Sequence, residues 1–317
     1  MRVFVTGASG WVGSAVVPEL LGAGHQVLGL ARSDSSAEAV AARGAEVLRG
    51  GLDDLDTLRT GAAECDGVVH LAFGHDFSRF DASVQTDARA IGAFGAALEG
   101  SGKPLVIAAG TPVIPGEVAT EHDSPEFPPG SPVAGRAANA RAALDLASRG
   151  VRSSVVGLPR TVHGEGDRGF VSWLVAHARE YGAAGYVGDG SNRWPAVHVA
   201  DAGRLFRLAV EQAPAGSMLH AVGDEGVPIR DIAEVIGRHL GLPTASRPAE
   251  DFGFLGTVLS ADQPASGALT RELLGWHPAG PSLLEDLDTG HYFTPGSRTY
   301  PPSTALSGGA SRNGSSG

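Results

Sequence analysis

Three glycines near the start of the chain have the spacing of a phosphate-binding turn. Residues 3 to 13 read Val-Phe-Val-Thr-Gly-Ala-Ser-Gly-Trp-Val-Gly, which is an apolar strand, a turn and the beginning of a helix. Gly7 permits a tight turn, Gly10 lets backbone N–H groups approach a pyrophosphate, and Gly13 lets the helix pack closely on the sheet. A merely structural turn is the alternative. We predict that a dinucleotide contacts Gly7, Ser9, Gly10, Trp11, Val12 and Gly13.

The end of the second apolar run predicts which dinucleotide is bound. In such units this position meets the adenosine ribose, where an acidic residue binds the 2′-hydroxyl and an arginine accommodates a 2′-phosphate. The run Val27-Leu28-Gly29-Leu30 is followed by Ala31, Arg32 and Ser33. The guanidinium of Arg32 matches phosphate geometry, and Ser33 adds a hydroxyl. We therefore predict NADP, with NAD less favoured because Asp34 is close; a solvated Arg32 at a strand end is the alternative.

The elements that must position this site alternate between strands and helices. Strands are predicted at 2–5, 26–30, 45–48, 67–71, 104–108 and 152–156, and helices follow to about Ala23 and Ala42 and at 80–99 and 134–149. Strand and helix alternation implies right-handed crossovers and a parallel sheet with helices on both faces. The predicted fold class is therefore α/β, a doubly wound parallel sheet of the Rossmann type.

After Leu158 the alternation of predicted strands and helices becomes less regular. Helices are predicted near 169–181, 200–212 and 229–240, with a glycine-rich turn at 188–192 and a strand at 194–198. From Pro295 onward the chain is rich in proline, serine and glycine, which is typical of a disordered tail. The predicted organisation is a nucleotide-binding domain at 1–158, a smaller C-terminal substrate-binding lobe at 159–294 that is interleaved with the sheet, and a tail at 295–317.

Composition narrows the function classes. The chain has 317 residues and a formal net charge of −11, which disfavours binding to nucleic acid and to acidic membrane surfaces. Its single cysteine, Cys65, allows no intramolecular disulfide and no cysteine-cluster metal site, and the scattered histidines predict no metal. With no signal peptide and no apolar run long enough to span a bilayer, we predict a cytoplasmic protein whose ligand is a small-molecule substrate.

Several ordered motifs resemble a known superfamily. The chain is similar to the extended or atypical short-chain dehydrogenase/reductases, in their NAD-dependent epimerase/dehydratase group. The resemblance covers nearly all of residues 1 to 290 and rests on the glycine turn at 6–13, His-Leu-Ala at 70–72, Ala-Ala-Gly-Thr at 108–111, Leu-Pro-Arg-Thr-Val-His-Gly at 158–164 and Pro-Ala-Val-His-Val-Ala-Asp at 195–201.

The resemblance extends the predicted cofactor site and makes a homodimer plausible. One departure is Gly51, which stands where the family often has an acidic residue near the adenine. The residues that the resemblance implies to lie along the cofactor are Leu52, Asp53, Leu71, Ala72, Leu158, Pro159, Arg160 and Thr161.

The family's acid-base pair is missing from this sequence. The resemblance implies a tyrosine acid/base, a lysine four residues later, and a serine or threonine that orients the substrate oxygen. Here the first tyrosine is Tyr181, and Glu99 stands four residues before Lys103, the only lysine. Aligning the expected helix places Pro132 near the tyrosine position and Arg136 near the lysine position. Arg136 is a candidate ribose clamp or a surface salt-bridge residue, but it is no general base.

Other residues are candidates for parts of the chemistry. Thr111 follows the fifth strand and is predicted to bond a substrate carbonyl or a water, with a local turn cap as the alternative. His75, beside Asp76, follows the fourth strand and is a candidate proton donor. His163 is predicted to face either the nicotinamide or solvent. The resemblance makes His198 structural, while Arg193 and Trp194 either line the pocket or anchor a turn.

These observations predict an NADP-dependent oxidoreductase that transfers hydride to or from a small substrate of the carbonyl, enone or quinone type. Its proton would come from water, from the substrate or from a side chain other than tyrosine. Two alternatives remain: a non-redox enzyme on the same fold, such as an epimerase, dehydratase or cyclase, and a nucleotide-sensing binding protein. The missing acid-base pair favours both alternatives.

Overall fold

A computed structural model of the protein describes residues 1–74, 79–125, 127 and 132–294. The candidate His75, its neighbour Asp76 and the predicted tail at 295–317 lie outside the described residues. No described helix combines the length and apolarity needed to cross a membrane.

Within the described ranges the strands are β1 (Arg2–Thr6), β2 (Gln26–Ala31), β3 (Glu46–Arg49), β4 (Gly67–His70), β5 (Pro104–Gly110), β6 (Arg152–Leu158), β7 (Thr161–His163), β8 (Ala184–Val187), β9 (Arg193–His198), β10 (Ser217–His220), β11 (Asp224–Pro228) and β12 (Thr244–Arg247). The α-helices are α1 (Gly13–Gly22), α2 (Asp34–Ala41), α3 (Leu55–Glu64), α4 (Phe80–Leu98), α5 (Pro132–Asp145), α6 (Phe170–Tyr181), α7 (Val199–Gln212), α8 (Ile229–Leu240), α9 (Phe254–Leu259), α10 (Ala268–Leu274) and α11 (Leu283–Asp288). Short 3-10 helices follow at Leu146–Arg149, Ala249–Phe252 and His291–Phe293.

The central sheet is parallel and has seven strands in the order β10-β6-β5-β4-β1-β2-β3. The central strands β1, β4 and β5 are largely apolar because helices cover both faces. On one face α1 and α7 pack over Val3, Val5 and Val156. On the other face α3, α4 and α5 pack over Phe4 and Leu105. The predicted doubly wound α/β fold is confirmed.

A second core lies in the C-terminal half of the chain. There β7 pairs in parallel with β9, β11 pairs antiparallel to β9, and β8 pairs with β12. Buried side chains of α6, α8 and α11 pack around Trp194, which has no exposed surface. The chain returns to the central sheet between these elements, because β10 pairs with β6 and α7 packs on α1.

Some element boundaries differ from the sequence predictions. The helix predicted at 134–149 is α5 followed by a 3-10 turn, which ends at Gly150 with φ +73°. Strands β5 and β6 run two residues further than predicted, to Gly110 and Leu158, because they pair with each other to their ends. Sequence analysis did not identify α3, β7, β8, β11 and β12. The four strands have only three to five residues, too few for a clear periodic signal, whereas the ten-residue helix α3 was missed although it is as long as α1.

Candidate active-site cleft

A cleft of about 2190 Å³ runs along the carboxyl ends of the central strands. From β1 the chain crosses to β2 on one side of β1, whereas β4 pairs with the other side of β1. The strand order therefore changes direction at β1, which makes this position a topological switch point. Ligands of doubly wound sheets bind at such a switch point. The glycine turn after β1 lines the middle of the cleft, Arg32 and Asp53 line one end, and Thr111 and Arg160 line the part that follows β5 and β6.

The glycine turn has the shape that a pyrophosphate requires. Gly7 has φ +70°, and the Gly10 N–H donates to the Gly7 carbonyl at 2.9 Å. A Cβ atom on Gly7 would lie 2.8 Å from the Ala72 backbone nitrogen, and one on Gly13 would lie 2.2 Å from the Gly7 oxygen. The cradle therefore exists only because side chains are absent, which fits a bound dinucleotide phosphate.

Gly10 provides the least disruptive test of this cradle. A methyl group there would meet only the Gly7 oxygen, at 3.2 Å, so Gly10→Ala should fold but obstruct the approach of the phosphates. We expect its Kd for NADPH to rise about tenfold, which corresponds to roughly 1.4 kcal/mol, with a nearly unchanged melting temperature. Gly22→Ala is the matched control, since nothing lies within 4 Å of its new methyl group. Unchanged NADPH affinity in Gly10→Ala would contradict the predicted phosphate site.

Three further residues of the glycine turn line the cleft, namely Ser9, Trp11 and Val12. The Trp11 indole N–H donates to the Val162 carbonyl at 2.8 Å, so the glycine turn is tied directly to β7 of the C-terminal half. This bond fixes the relative position of the two sides of the cleft.

Charges at the adenine end of the cleft are arranged asymmetrically. Arg32 is exposed, lines the cleft and has no ion-pair partner among the described residues. The acidic neighbour Asp34 is paired instead, because its carboxylate accepts from Arg49 Nη2 at 2.7 Å. The Ser33 hydroxyl also lines the cleft but caps α2 by accepting from the Ser36 N–H at 3.2 Å. The free positive charge at this end is therefore that of Arg32.

Four more residues implied by the resemblance line the same cleft: Leu52, Asp53, Leu71 and Ala72. The carboxylate of Asp53 accepts from Arg89 at 2.7 Å, so this acid is partly neutralised at the surface. The Ala72 N–H donates to the Thr6 hydroxyl at 3.3 Å, which holds the chain after β4 against the glycine turn.

Arg136 ends a buried polar network beneath the cleft. The Thr6 hydroxyl bonds His70 Nδ1 at 2.7 Å, and His70 Nε2 bonds Asp87 at 3.1 Å. Arg136 Nη1 donates to Asp87 at 2.8 Å, and Nη2 donates to the Ala108 carbonyl at 2.9 Å. The guanidinium still lines the cleft. Arg136 is therefore paired with a buried acid at the cleft wall and is not a surface salt bridge, while its role as a ribose clamp stays a prediction.

Asp87 holds this network together, and sequence analysis missed it. The side chain is 2% exposed. Burial raises its pKa, but hydrogen bonds from His70 and Asn139 and the charge of Arg136 outweigh burial and hold the pKa below its ordinary value. A signal was present, because Asp87 lies four residues before Ile91, on the apolar face of α4. A carboxylate on an apolar helix face requires a buried partner.

Thr111 stands at the carboxyl end of β5. Its N–H donates to the Leu158 carbonyl at 2.9 Å, and its side chain lines the cleft. The carboxyl end of the neighbouring strand β6 contributes four residues to the cleft wall, namely Leu158, Pro159, Arg160 and Thr161. The Thr161 hydroxyl is buried and has no hydrogen-bond partner among the described residues. Thr111 therefore brings a hydroxyl-bearing side chain to this part of the cleft, whereas the Thr161 hydroxyl is enclosed.

His163 does not reach the cleft, which corrects both positions predicted for it. Its side chain is fully buried, and Nδ1 bonds Asp286 at 2.9 Å. The ring packs edge-on against His198, whose Nδ1 accepts from the Ala200 N–H at 3.4 Å as a helix cap. Trp194 is buried and Arg193 pairs with Asp262, so the turn-anchor alternative describes these two residues.

Metal ligation has no support in the described ranges, where no group of three histidine, cysteine or acidic side chains is close enough to hold an ion.

Comparison with known proteins places the chain among enzymes of this architecture. A model of the NAD dependent epimerase/dehydratase family matches residues 3–221. An uncharacterised protein of Schizosaccharomyces pombe is 46% identical over 299 residues, 92% of this chain and 100% of the relative. A 2-alkyl-3-oxoalkanoate reductase of Stenotrophomonas maltophilia is 27% identical over 260 residues, 78% of each chain. The solved structure of MoeE5 with UDP-glucose and NAD is 25% identical, with a TM-score of 0.71 over 92% of this chain and 97% of that one.

Proposed function

The chain belongs to the NAD dependent epimerase/dehydratase family, and on that basis we propose that it is an NADP(H)-dependent reductase of a small carbonyl, enone or quinone compound. The observation that carries the cofactor preference is the unpaired Arg32 at the adenine end of the cleft.

The preference for a phosphorylated cofactor follows from the charges around the second strand. An acid at this position would bind the ribose 2′-hydroxyl of NAD, but the nearest acid, Asp34, already accepts from Arg49. Arg32 remains available to pair with a 2′-phosphate, and Ser33 presents a hydroxyl beside it. The arrangement therefore favours NADP over NAD.

The reacting end of the cleft supports carbonyl reduction. Bound NADPH supplies the hydride. Thr111 is positioned to donate a hydrogen bond to the substrate oxygen and so to favour the negative charge that develops there. Arg136 adds a positive charge at the cleft wall while its bonds to Asp87 and Ala108 hold it in place. No tyrosine follows β5 at the family's position, so we assign the proton to water.

A relative supports the same reaction class. The protein of Stenotrophomonas maltophilia is a reductase by its name, and the compound in that name is an oxoalkanoate. The proposal that this chain also reduces a carbonyl rests on that similarity together with the hydroxyl of Thr111 at the end of β5.

The proposal is tested by mixing the protein with NADPH and a panel of ketones, enones and quinones and following the absorbance band of reduced nicotinamide. Loss of this band with formation of the reduced product is the expected result. Conversion of substrate without loss of NADPH would favour a non-redox enzyme instead. Tight NADPH binding without any conversion would favour a nucleotide-sensing protein.

Thr111→Val tests the proposed role of the hydroxyl. We expect kcat to fall about tenfold, the scale of one hydrogen bond to a neutral group, with an unchanged Kd for NADPH. Steady-state kinetics and a fluorescence titration measure the two quantities. Thr60→Val is the matched control, because Thr60 lies on α3 and bonds only the Asp56 carbonyl. Full activity in Thr111→Val would remove this residue from the mechanism.

A cytoplasmic location and a homodimer remain predictions. Sedimentation of the purified protein tests the second of these.

A further inference from the structure

We infer that Arg160 is the anchor for a carboxylate group on the substrate, so that the compounds reduced are small oxo acids with an apolar or aromatic body. This inference rests on the proposed reductase function and adds a substrate class to it. Arg160 was first implied as a cofactor contact, and its surroundings favour a different role.

The guanidinium of Arg160 is held rigidly but is not neutralised. Its Nε and Nη2 donate to the side-chain oxygen of Gln263 at 3.1 and 2.6 Å. Gln263 is 4% exposed, and its own amide nitrogen donates to the Val258 carbonyl at 3.2 Å, which fixes the amide orientation. A guanidinium has five N–H donors, so three remain for a ligand after these two bonds. A rigid fork with free donors is suited to a carboxylate.

No carboxylate of the described residues lies within ion-pair distance of Arg160. Two buried acids line the same cleft. Glu121 accepts from the N–H and the hydroxyl of Thr270 at 2.8 and 2.7 Å, and Asp167 is also engaged elsewhere. Asp167 accepts from the Gly169 N–H at 2.6 Å and from the Tyr292 hydroxyl at 2.9 Å. Burial lowers the pKa of the Arg160 guanidinium, which nevertheless stays charged. A partly buried positive charge without an acidic partner favours the binding of an anion.

The topology of the sheet places Arg160 at the substrate end. Arg32 follows β2, whereas Arg160 follows β6, three strands from β1 on the opposite side of the switch point. A dinucleotide that rests its adenine half near Arg32 and its phosphates on the glycine turn directs its nicotinamide half toward β5 and β6. Arg160 therefore belongs to the region where the substrate meets the nicotinamide.

Aromatic side chains form a wall beside this charge. The Arg160 guanidinium lies 5.3 Å from the ring centre of Phe170, and Phe170 packs edge-on against Trp173. Both aromatic residues line the cleft. Helix α6 begins at Phe170 without a side-chain cap, so its positive end adds to the potential near Arg160. A ligand with one negative group and a flat apolar body matches this combination.

The experiment compares oxo acids with their methyl esters, beginning with benzoylformate and methyl benzoylformate. Binding to the protein loaded with NADP+ is measured by calorimetry, which does not depend on turnover. We expect the best acid to bind at least about tenfold more tightly than its ester, the scale of a charge-assisted hydrogen bond. Arg160→Met should abolish this preference, while Arg160→Lys, which keeps the charge but loses the fork, should restore part of it.

Two further measurements separate the alternatives. Arg179→Met is the matched control, because Arg179 lies on α6 and donates only to the Phe293 carbonyl. The inference is overturned if no acid of the panel binds better than its ester. It is equally overturned if Arg160→Met weakens NADP+ as much as it weakens the acid. If the acid binds through Arg160 but NADPH is not oxidised, the anchor stands and the proposed reductase function fails.

Discussion

Replacing Arg32 by aspartate is expected to raise the Kd for NADPH about 100-fold, because a charge-assisted bond to the 2′-phosphate is lost and a repulsion takes its place. The Kd for NADH should stay the same or fall, since an acid at this position binds a ribose 2′-hydroxyl. The large effect depends on the surroundings of Arg32. Asp34 already accepts from Arg49, and among the described residues Arg32 has no ion-pair partner that would compete with a 2′-phosphate.

Titration of both cofactors against the Arg32→Asp protein measures the effect. Arg59→Asp is the matched control, because Arg59 is exposed on α3 and pairs only with Asp56. This control should leave both affinities unchanged and show that the switch does not come from the change in net charge. If the Arg32→Asp protein binds NADPH as tightly as the original, Arg32 is a solvated strand-end arginine and the preference for NADP is wrong.

The second large effect is expected from Arg136→Met, which should lower the free energy of unfolding by about 3–5 kcal/mol. Removing this arginine leaves the Asp87 carboxylate buried without a positive partner, and Asp87 is 2% exposed. Thermal and denaturant unfolding measure the loss. The ion pair of Arg59 with Asp56 is exposed, so Arg59→Met should cost less than about 1 kcal/mol.

A double variant distinguishes a lost ion pair from lost packing. Arg136→Met leaves the Asp87 carboxylate without its arginine partner, and Asp87→Asn removes that negative charge. The double variant should therefore recover a large part of the stability that Arg136→Met loses. Additive losses from the two changes would contradict this interpretation, because they would mean that the charges are not coupled.

The pH dependence follows from the lowered pKa of Asp87. A carboxyl whose pKa is lower in the folded protein contributes stability above its unfolded pKa and loses it as the pH falls through the folded pKa. The penalty of Arg136→Met should therefore be largest near neutral pH and shrink as the pH falls, because burial without Arg136 raises the carboxyl pKa and Asp87 of the variant takes up its proton at a higher pH than Asp87 of the original protein. A penalty that does not change with pH would point to packing instead of charge.

Much of the lining of the candidate cleft was predictable from the sequence. The glycine turn, Arg32, and the residues after β4, β5 and β6 all line one cleft in the structure. They lie together because each of these residues follows a strand of a parallel sheet, and all such strands end at the same edge. Their contacts with a cofactor stay a prediction. His163 shows the limit of this reasoning. It follows the same strand end but turns inward to Asp286, a residue 123 positions later in the chain.

The sequence by itself determined most elements of the central sheet and the glycine turn, because periodicity, strand ends and glycine sterics act over a few neighbouring residues. The tertiary structure decided which charges are satisfied. Asp87 and Arg136 are 49 residues apart in the chain, and Arg160 and Gln263 are 103 residues apart. No local sequence pattern predicts either pairing. Whether a side chain is neutralised depends on what the fold brings within about 4 Å of it, where charge interactions in a poorly solvated site are strong. That is why Arg136 is paired with Asp87, while Arg32 and Arg160 have no acidic partner among the described residues.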